Sequence, residues 1–157
     1  MDSVNGAGSN ALPILLESLG CEVIELNCEP DGNFTRGTEP LPENLNNLRE
    51  MVIENKADAG FAIDPDGDRL AVVNEKGEPL GEEYTLVIAA DGYLKDTGRK
   101  EKFVINLSTS MAIEKLAEMN KSSVVRSAVG EINVVNKMND VNSALGGEGN
   151  GGVILRE

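Results

Sequence analysis

The sequence predicts an α/β protein made of two consecutive α/β units with mixed, largely parallel sheets flanked by helices. Three observations carry that reading. Short apolar, strand-like runs alternate with helix-like segments along the whole chain, the pattern of strands joined by crossover helices. The alternation breaks once, at "TGRKEK" (97–102), and then restarts. The composition, 40% hydrophobic with 17 glycines in 157 residues, is that of a chain that folds around a core.

Taken in order, "DSV" (2–4) reads as the end of a strand, and 8–20 has helical spacing with Pro13 in an early turn, where a missing N–H is tolerated. "CEVIEL" (21–26) alternates as a strand. Residues 27–42 form a polar loop punctuated by Pro and Gly. Leu45, Leu48, Met51 and Val52 then recur at helical spacing in 43–56. "ADAGFAI" (57–63) is an apolar strand leading into "DPDGDR" (64–69), and 70–80 is a strand ending in a tight turn at Lys76-Gly77. Residues 81–96 read as a helix whose early Glu82 and Glu83 suit its N-terminus. Beyond the break come a strand (103–107), a helix (110–120), a strand (122–127), a helix (131–139), a glycine-rich loop (146–152) and a strand (153–155). The boundary is placed near residue 100, giving units at 1–98 and 99–157. Asp2 begins inside a strand and Glu157 ends one, so the chain is expected to be a segment of a longer protein.

The formal charge, 14 basic against 27 acidic residues, is −13, and five aromatics with no tryptophan offer few stacking platforms. That field repels a phosphate backbone, which argues against nucleic-acid binding. No histidine is present, which removes histidine-based triads and histidine-bearing zinc sites and leaves hard oxygen ligands. Cys21 and Cys28 without a CxxC spacing, no secretory signal and no long apolar run predict a reduced, cytoplasmic protein with no membrane partner. Cys21 opens an apolar run and is expected to be buried.

Three stretches carry chemistry. In "DPDGDR" the alternating Asp64, Asp66 and Asp68 converge on one side of an extended or looping backbone, where like charges repel unless a cation neutralises them. An EF-hand shares the aspartate spacing, but Arg69 stands at the sixth position, where its sharp turn needs glycine. An oxygen-only set of few ligands suits Mg²⁺, and Arg69 would add a planar fork for phosphate oxygens. In "VNGAGSNA" (4–11), Gly6, Gly8 and Ala11 satisfy a dinucleotide-binding spacing between a strand end and a helix. Close strand–helix packing explains the same glycines. "GGEGNGG" (146–152) surrounds Glu148 and Asn150 with glycines, letting a ligand approach one carboxylate and one amide, as a reader of hydroxyl groups would require.

Together "NGAG", "PDGNF", "ADAGFAIDPDGDR" running into "LAVVNEKGEPL", and "GGEGNGG" make the chain resemble the α-D-phosphohexomutases over nearly its full length, at the second and most of the third of their four domains. The resemblance implies that Asp64, Asp66 and Asp68 hold a catalytic Mg²⁺ and that Arg69 lies close to the transferred phosphoryl group. It implies that Glu148 and Asn150 face sugar hydroxyls, and, more loosely, that Gly130 and Glu131 in "AVGE" approach the sugar. The implied reaction interconverts 1- and 6-phosphates of hexoses or hexosamines through a phosphoserine. No stretch here resembles the phosphoserine loop of the first domain or the phosphate-gripping loop of the fourth, so this chain alone is expected to be inactive. Its expected partners are a sugar phosphate and the remaining domains of the parent enzyme. A dinucleotide-binding module and a Ca²⁺-binding module are the rival readings. The first predicts NAD binding that Gly8→Val abolishes, the second a preference for Ca²⁺ over Mg²⁺.

Overall fold

The computed structural model describes residues 1–156; Glu157, expected to end a strand, lies outside the described residues. Two compact units divide the chain, Met1–Glu82 and Glu83–Glu157.

In the first unit, α1 (Ala11–Ser18) follows a single 3-10 turn, and α2 (Asn46–Asn55) follows another. Two strands, β1 (Ala59–Ile63) and β2 (Leu70–Asn74), pair antiparallel with Ile63 opposite Leu70. Asp2 bridges in parallel to Leu26 on one side and to Ala62 on the other, so "DSV", read as a strand end, is reduced to an isolated bridge position between Leu26 and β1. The 21–26 run forms no strand; it contributes that bridge, and the Ile24 carbonyl accepts from the Met1 ammonium (2.6 Å). Leu48 and Val52, one helical turn apart on α2, join Leu45 against Ala62, Ala71 and Val73, the inward-alternating positions of the two strands. Cys21, expected to be buried, is exposed. It lines an open groove of about 540 Å³ between α1, residues 20–24 and the α2–β1 stretch, where nothing in this unit covers its side chain.

The second unit is an α/β/α layer. Its elements are α3 (Glu83–Thr97), β3 (Lys102–Asn106), α4 (Ala112–Met119), β4 (Ser123–Ser127), α5 (Glu131–Val141), β5 (Leu145–Gly147) and β6 (Val153–Leu155). The sheet order is β4-β3-β5-β6, with β3 parallel to β4 and β5, and β6 antiparallel to β5. Central β3 is apolar on both faces because helices cover both. Phe103 and Ile105 meet Leu86, Ala90 and Leu94 of α3 and Ile113 and Ala117 of α4. Val104 meets Val134 and Met138 of α5. Grouping α3 with this unit corrects the sequence-based boundary at 98/99: "TGRKEK" is the turn between a helix and the strand it packs on.

Strand β5, inside the glycine run, was not expected. A Cβ on Gly146 would lie 2.7 Å from the Val104 carbonyl oxygen, and one on Gly147 would lie 2.3 Å from that of Gly152. These glycines therefore admit close strand packing, which composition alone reads as loop. Phe103→Ala empties the centre of this core, and a loss of about 3–5 kcal/mol in chemical denaturation is the expected cost.

Candidate functional site

Residues 64–69 join β1 to β2, and Gly67 turns the chain with φ 83°, which favours glycine. Asp64 is 5% exposed at the strand end, while Asp66 and Asp68 are exposed. Despite that difference, one carboxylate oxygen from each lies within 4.8 Å of the others. Asp64 Oδ1 accepts the backbone N–H groups of Gly67 (3.2 Å) and Arg69 (3.0 Å), which sets its orientation. Burial, assisted by Asp66 and Asp68, pushes the Asp64 carboxyl up to about 6, against the opposing Arg69 N–H bond. Three carboxylates that converge on one point, with the buried one reluctant to ionise, are the donor set a hard divalent cation fits.

Arg69 faces the same group. Its Nε lies 3.7 Å from both Asp64 Oδ2 and Asp68 Oδ1, and its Nη1 donates to Glu39 Oε2 at 2.5 Å. These contacts, Glu39 foremost, raise the guanidinium's already high pKa. The strands flanking the loop are not the helices an EF-hand requires.

Two supports were not read from the sequence. Arg36, in the polar 27–42 loop, reaches under the acidic loop: its Nε donates to Asp2 Oδ2 (2.8 Å) and its Nη2 to the carbonyl of Ile63 (2.6 Å), the residue before Asp64. Asp2 also accepts the Val4 N–H (2.8 Å). No local pattern marks a pair separated by this much chain. The second support is "NGAG". A Cβ on Gly6 would sit 2.4 Å from the Pro65 carbonyl oxygen, one on Gly8 would sit 2.1 Å from Ile63 Cδ1, and the Ala7 N–H donates to the Pro65 carbonyl (2.8 Å). The glycines thus seat the acidic loop by close packing, and the space a dinucleotide would approach through is filled by protein. For Gly6→Ala a loss of roughly 1–3 kcal/mol in thermal unfolding is expected from this backbone clash, with weakened Mg²⁺ binding in the same titrated sample.

In the second unit, Glu148 and Gly130 come together, while Glu131 begins α5. Glu148 Oε1 accepts the Gly130 N–H (3.0 Å) and the Asn106 side-chain amide (2.6 Å), so one carboxylate oxygen is fully engaged inside the protein. Gly130, at φ 111°, takes a conformation that disfavours side chains. Asn150 turns its own loop, accepting the Gly152 N–H at 3.2 Å. Asn106, absent from the sequence-derived set, is buried at the end of β3 and its Oδ1 also accepts from Ser108 and Thr109. Arg126 holds the same turn through the carbonyls of Asn106, Leu107 and Thr109. Among the described residues no helix is long and apolar enough to cross a membrane.

Residues 1–77 match the family model for phosphoglucomutase/phosphomannomutase alpha/beta/alpha domain II, and residues 81–157 match that for domain III. The chain is 39% identical over 156 residues to a phosphoglucomutase/phosphomannomutase of Thermococcus kodakarensis, covering 99% of this chain and 34% of the relative. It is 38% identical over 162 residues to a phosphoglucosamine mutase of a Sulfurovum species, covering 100% of this chain and 35% of the relative. A solved phosphoglucomutase/phosphomannomutase family protein from Burkholderia thailandensis superposes with a TM-score of 0.88 at 27% identity, covering 99% of this chain and 34% of that one. The chain spans about a third of the length of these relatives. With the two family models together matching residues 1–77 and 81–157 and the same fold in a solved member, the chain belongs to the phosphoglucomutase/phosphomannomutase family of phosphohexomutases.

Proposed function

We propose that the chain supplies the Mg²⁺ loop and a sugar-facing loop of an enzyme that interconverts 1- and 6-phosphates of hexoses or hexosamines. The observation that carries this reading is the convergence of Asp64, Asp66 and Asp68 within 4.8 Å beside Arg69. Bound there, a dication would neutralise charge on a phosphoryl group in transfer. The chain's own residues do the rest. Asp64, fixed by the Gly67 and Arg69 N–H groups, presents one oriented oxygen; Asp66 and Asp68 supply two from the exposed side. Arg69 offers a planar donor edge to phosphoryl oxygens. Glu148, with Oε1 engaged by Gly130 and Asn106, keeps Oε2 to accept from a sugar hydroxyl, next to Asn150. Glu131 and Gly130 border the same subsite. A phosphoserine outside this sequence would give and take back the phosphoryl group, so the isolated chain binds without turning over substrate. The parent enzyme works in the cytoplasm.

Calorimetric titration of the chain with Mg²⁺ tests the reading: binding by the wild type and its loss in Asp66→Asn support it, and equal heats from both overturn it. The pH dependence follows in sign. Because the folded Asp64 pKa, about 6, lies above the ordinary value of 3.8, the metal-free folded state holds more protons than the unfolded one between these pH values. Its stability therefore falls as pH rises through that window, and Asp64→Asn removes this component. Metal affinity runs the other way. It is expected to fall up to about tenfold per pH unit below 6, as the proton competes for Asp64, when titrations at pH 7.5 and pH 5 are compared.

A further inference from the structure

Glu39 has no place in the reading above, yet it makes an ion pair with the arginine meant for the phosphoryl group. We propose that Glu39 is a stand-in for substrate: its carboxylate occupies the seat on Arg69 that a dianionic phosphoryl group takes, and the two compete for it. This inference rests on the assignment of Arg69 to phosphoryl oxygens.

Four observations support it. First, the Arg69 backbone N–H is held on Asp64 Oδ1 and its Nε lies 3.7 Å from both Asp64 and Asp68, so the guanidinium sits beside the acidic loop and Glu39 meets its Nη1 terminus. Second, a carboxylate and a phosphoryl group are the two partners that match the donor fork of arginine, so one can replace the other without rearranging Arg69. Third, the Glu39 side chain is 53% exposed and that of Arg69 is 30% exposed, and ion pairs in such surroundings are weak and open readily. Fourth, the Glu39 backbone is tethered independently of the pair its side chain makes with Arg69. Asn44 Nδ2 donates to the Glu39 carbonyl (2.8 Å), and Arg36, three positions earlier, is anchored on Asp2 and Ile63. Displacement therefore needs a side-chain rotation rather than a loop opening, and the carboxylate stays close enough to return.

The charges around the site give the competition its direction. Asp64, Asp66, Asp68 and Glu39 against Arg69 make a formal −3, from four negative charges and one positive. A divalent cation brings this to −1, a field that still opposes an incoming phosphoryl group. Turning Glu39 away from Arg69 relieves that opposition and frees the donors together. The pair thus keeps the arginine ordered when no phosphate is present and weakens phosphate binding to a level from which release remains easy.

The test titrates the wild-type chain, Glu39→Gln and Arg69→Gln with inorganic phosphate at saturating Mg²⁺, reading affinity by phosphorus NMR and the Arg69 Nε–H resonance by nitrogen NMR. Glu39→Gln is expected to bind phosphate about twofold to fivefold tighter than the wild type, the range an exposed ion pair accounts for. In the wild type the Arg69 Nε–H resonance, which reports the electronic state of the whole guanidinium, should move on addition of phosphate from its position with Glu39 on Nη1 toward that of phosphate-bound Glu39→Gln. Loss of phosphate binding in Arg69→Gln, with no gain in Glu39→Gln, overturns the competition and leaves the Arg69 assignment standing. Equal binding by Arg69→Gln and the wild type overturns the Arg69 assignment and the inference with it. Absence of phosphate binding in all three proteins also overturns the inference.

Discussion

Arg36→Ala is expected to cost about 3–5 kcal/mol in equilibrium unfolding of the first unit, because it strands the buried carboxylate of Asp2 without its cation. Asp2 is 1% exposed, lies between two parallel neighbours and keeps only its bond from the Val4 N–H once the guanidinium is gone. The loss is comparable to the whole stability of a small domain, so the variant should unfold in far less denaturant or fail to accumulate. The double variant Arg36→Met with Asp2→Asn removes both charges. It should recover much of the loss, since replacing a buried pair costs far less than breaking one. Arg36 also donates to the Ile63 carbonyl, directly ahead of Asp64, so the recovered double variant should still bind Mg²⁺ more weakly than the wild type in titration. Recovery of full metal affinity would show that the arginine supports the sheet and not the loop.

Asp64→Ala is expected to reduce Mg²⁺ affinity by at least about 100-fold while leaving the fold intact, a contrast that separates it from Arg36→Ala. The effect on affinity is large because Asp64 is the one member of the triad whose direction is set by backbone N–H bonds. The fold should tolerate the change because, without metal, the Asp64 carboxylate is penalised: burial and two neighbouring aspartates raise its pKa to about 6. At pH 7.5 in chelator the variant is expected to be as stable as the wild type or more so by thermal unfolding. Added Mg²⁺ should raise the melting temperature of the wild type alone. A variant that is destabilised in chelator would mean that Asp64 serves the loop's backbone more than a cation.

Much of the fold was legible because periodicity is local. The apolar spacing in 43–56 and the apolar run of β3 follow directly from one buried helix face and a strand buried on both sides. The alternation of Asp64, Asp66 and Asp68 was legible for the same reason, since spacing in a short loop constrains where side chains can point. What local spacing could not convey was partnership. Cys21 sits in a run that reads as a buried strand, yet backbone bonding to the Met1–Ser3 segment involves only Ile24 and Leu26 at its far end, and the cysteine faces an open groove. Gly146 and Gly147 read as loop, but the carbonyls of Val104 and Gly152 and the Met138 side chain require glycine in a strand. The helix at 83–97 could belong to either neighbour until Leu86, Ala90 and Leu94 were placed against Phe103 and Ile105.

The sequence by itself determined the alternation of helices and strands, the acidic loop with its arginine, and the resemblance to phosphohexomutases, since each is written in neighbouring residues. Only the tertiary structure decided which distant groups steady those loops: Arg36 and Asp2 beneath Asp64, Glu39 upon Arg69, Gly6 against Pro65, and Asn106 upon Glu148. The physical reason is that a buried charge or a close backbone approach is satisfied by whatever the fold brings near it, and separation along the chain does not reveal that neighbour.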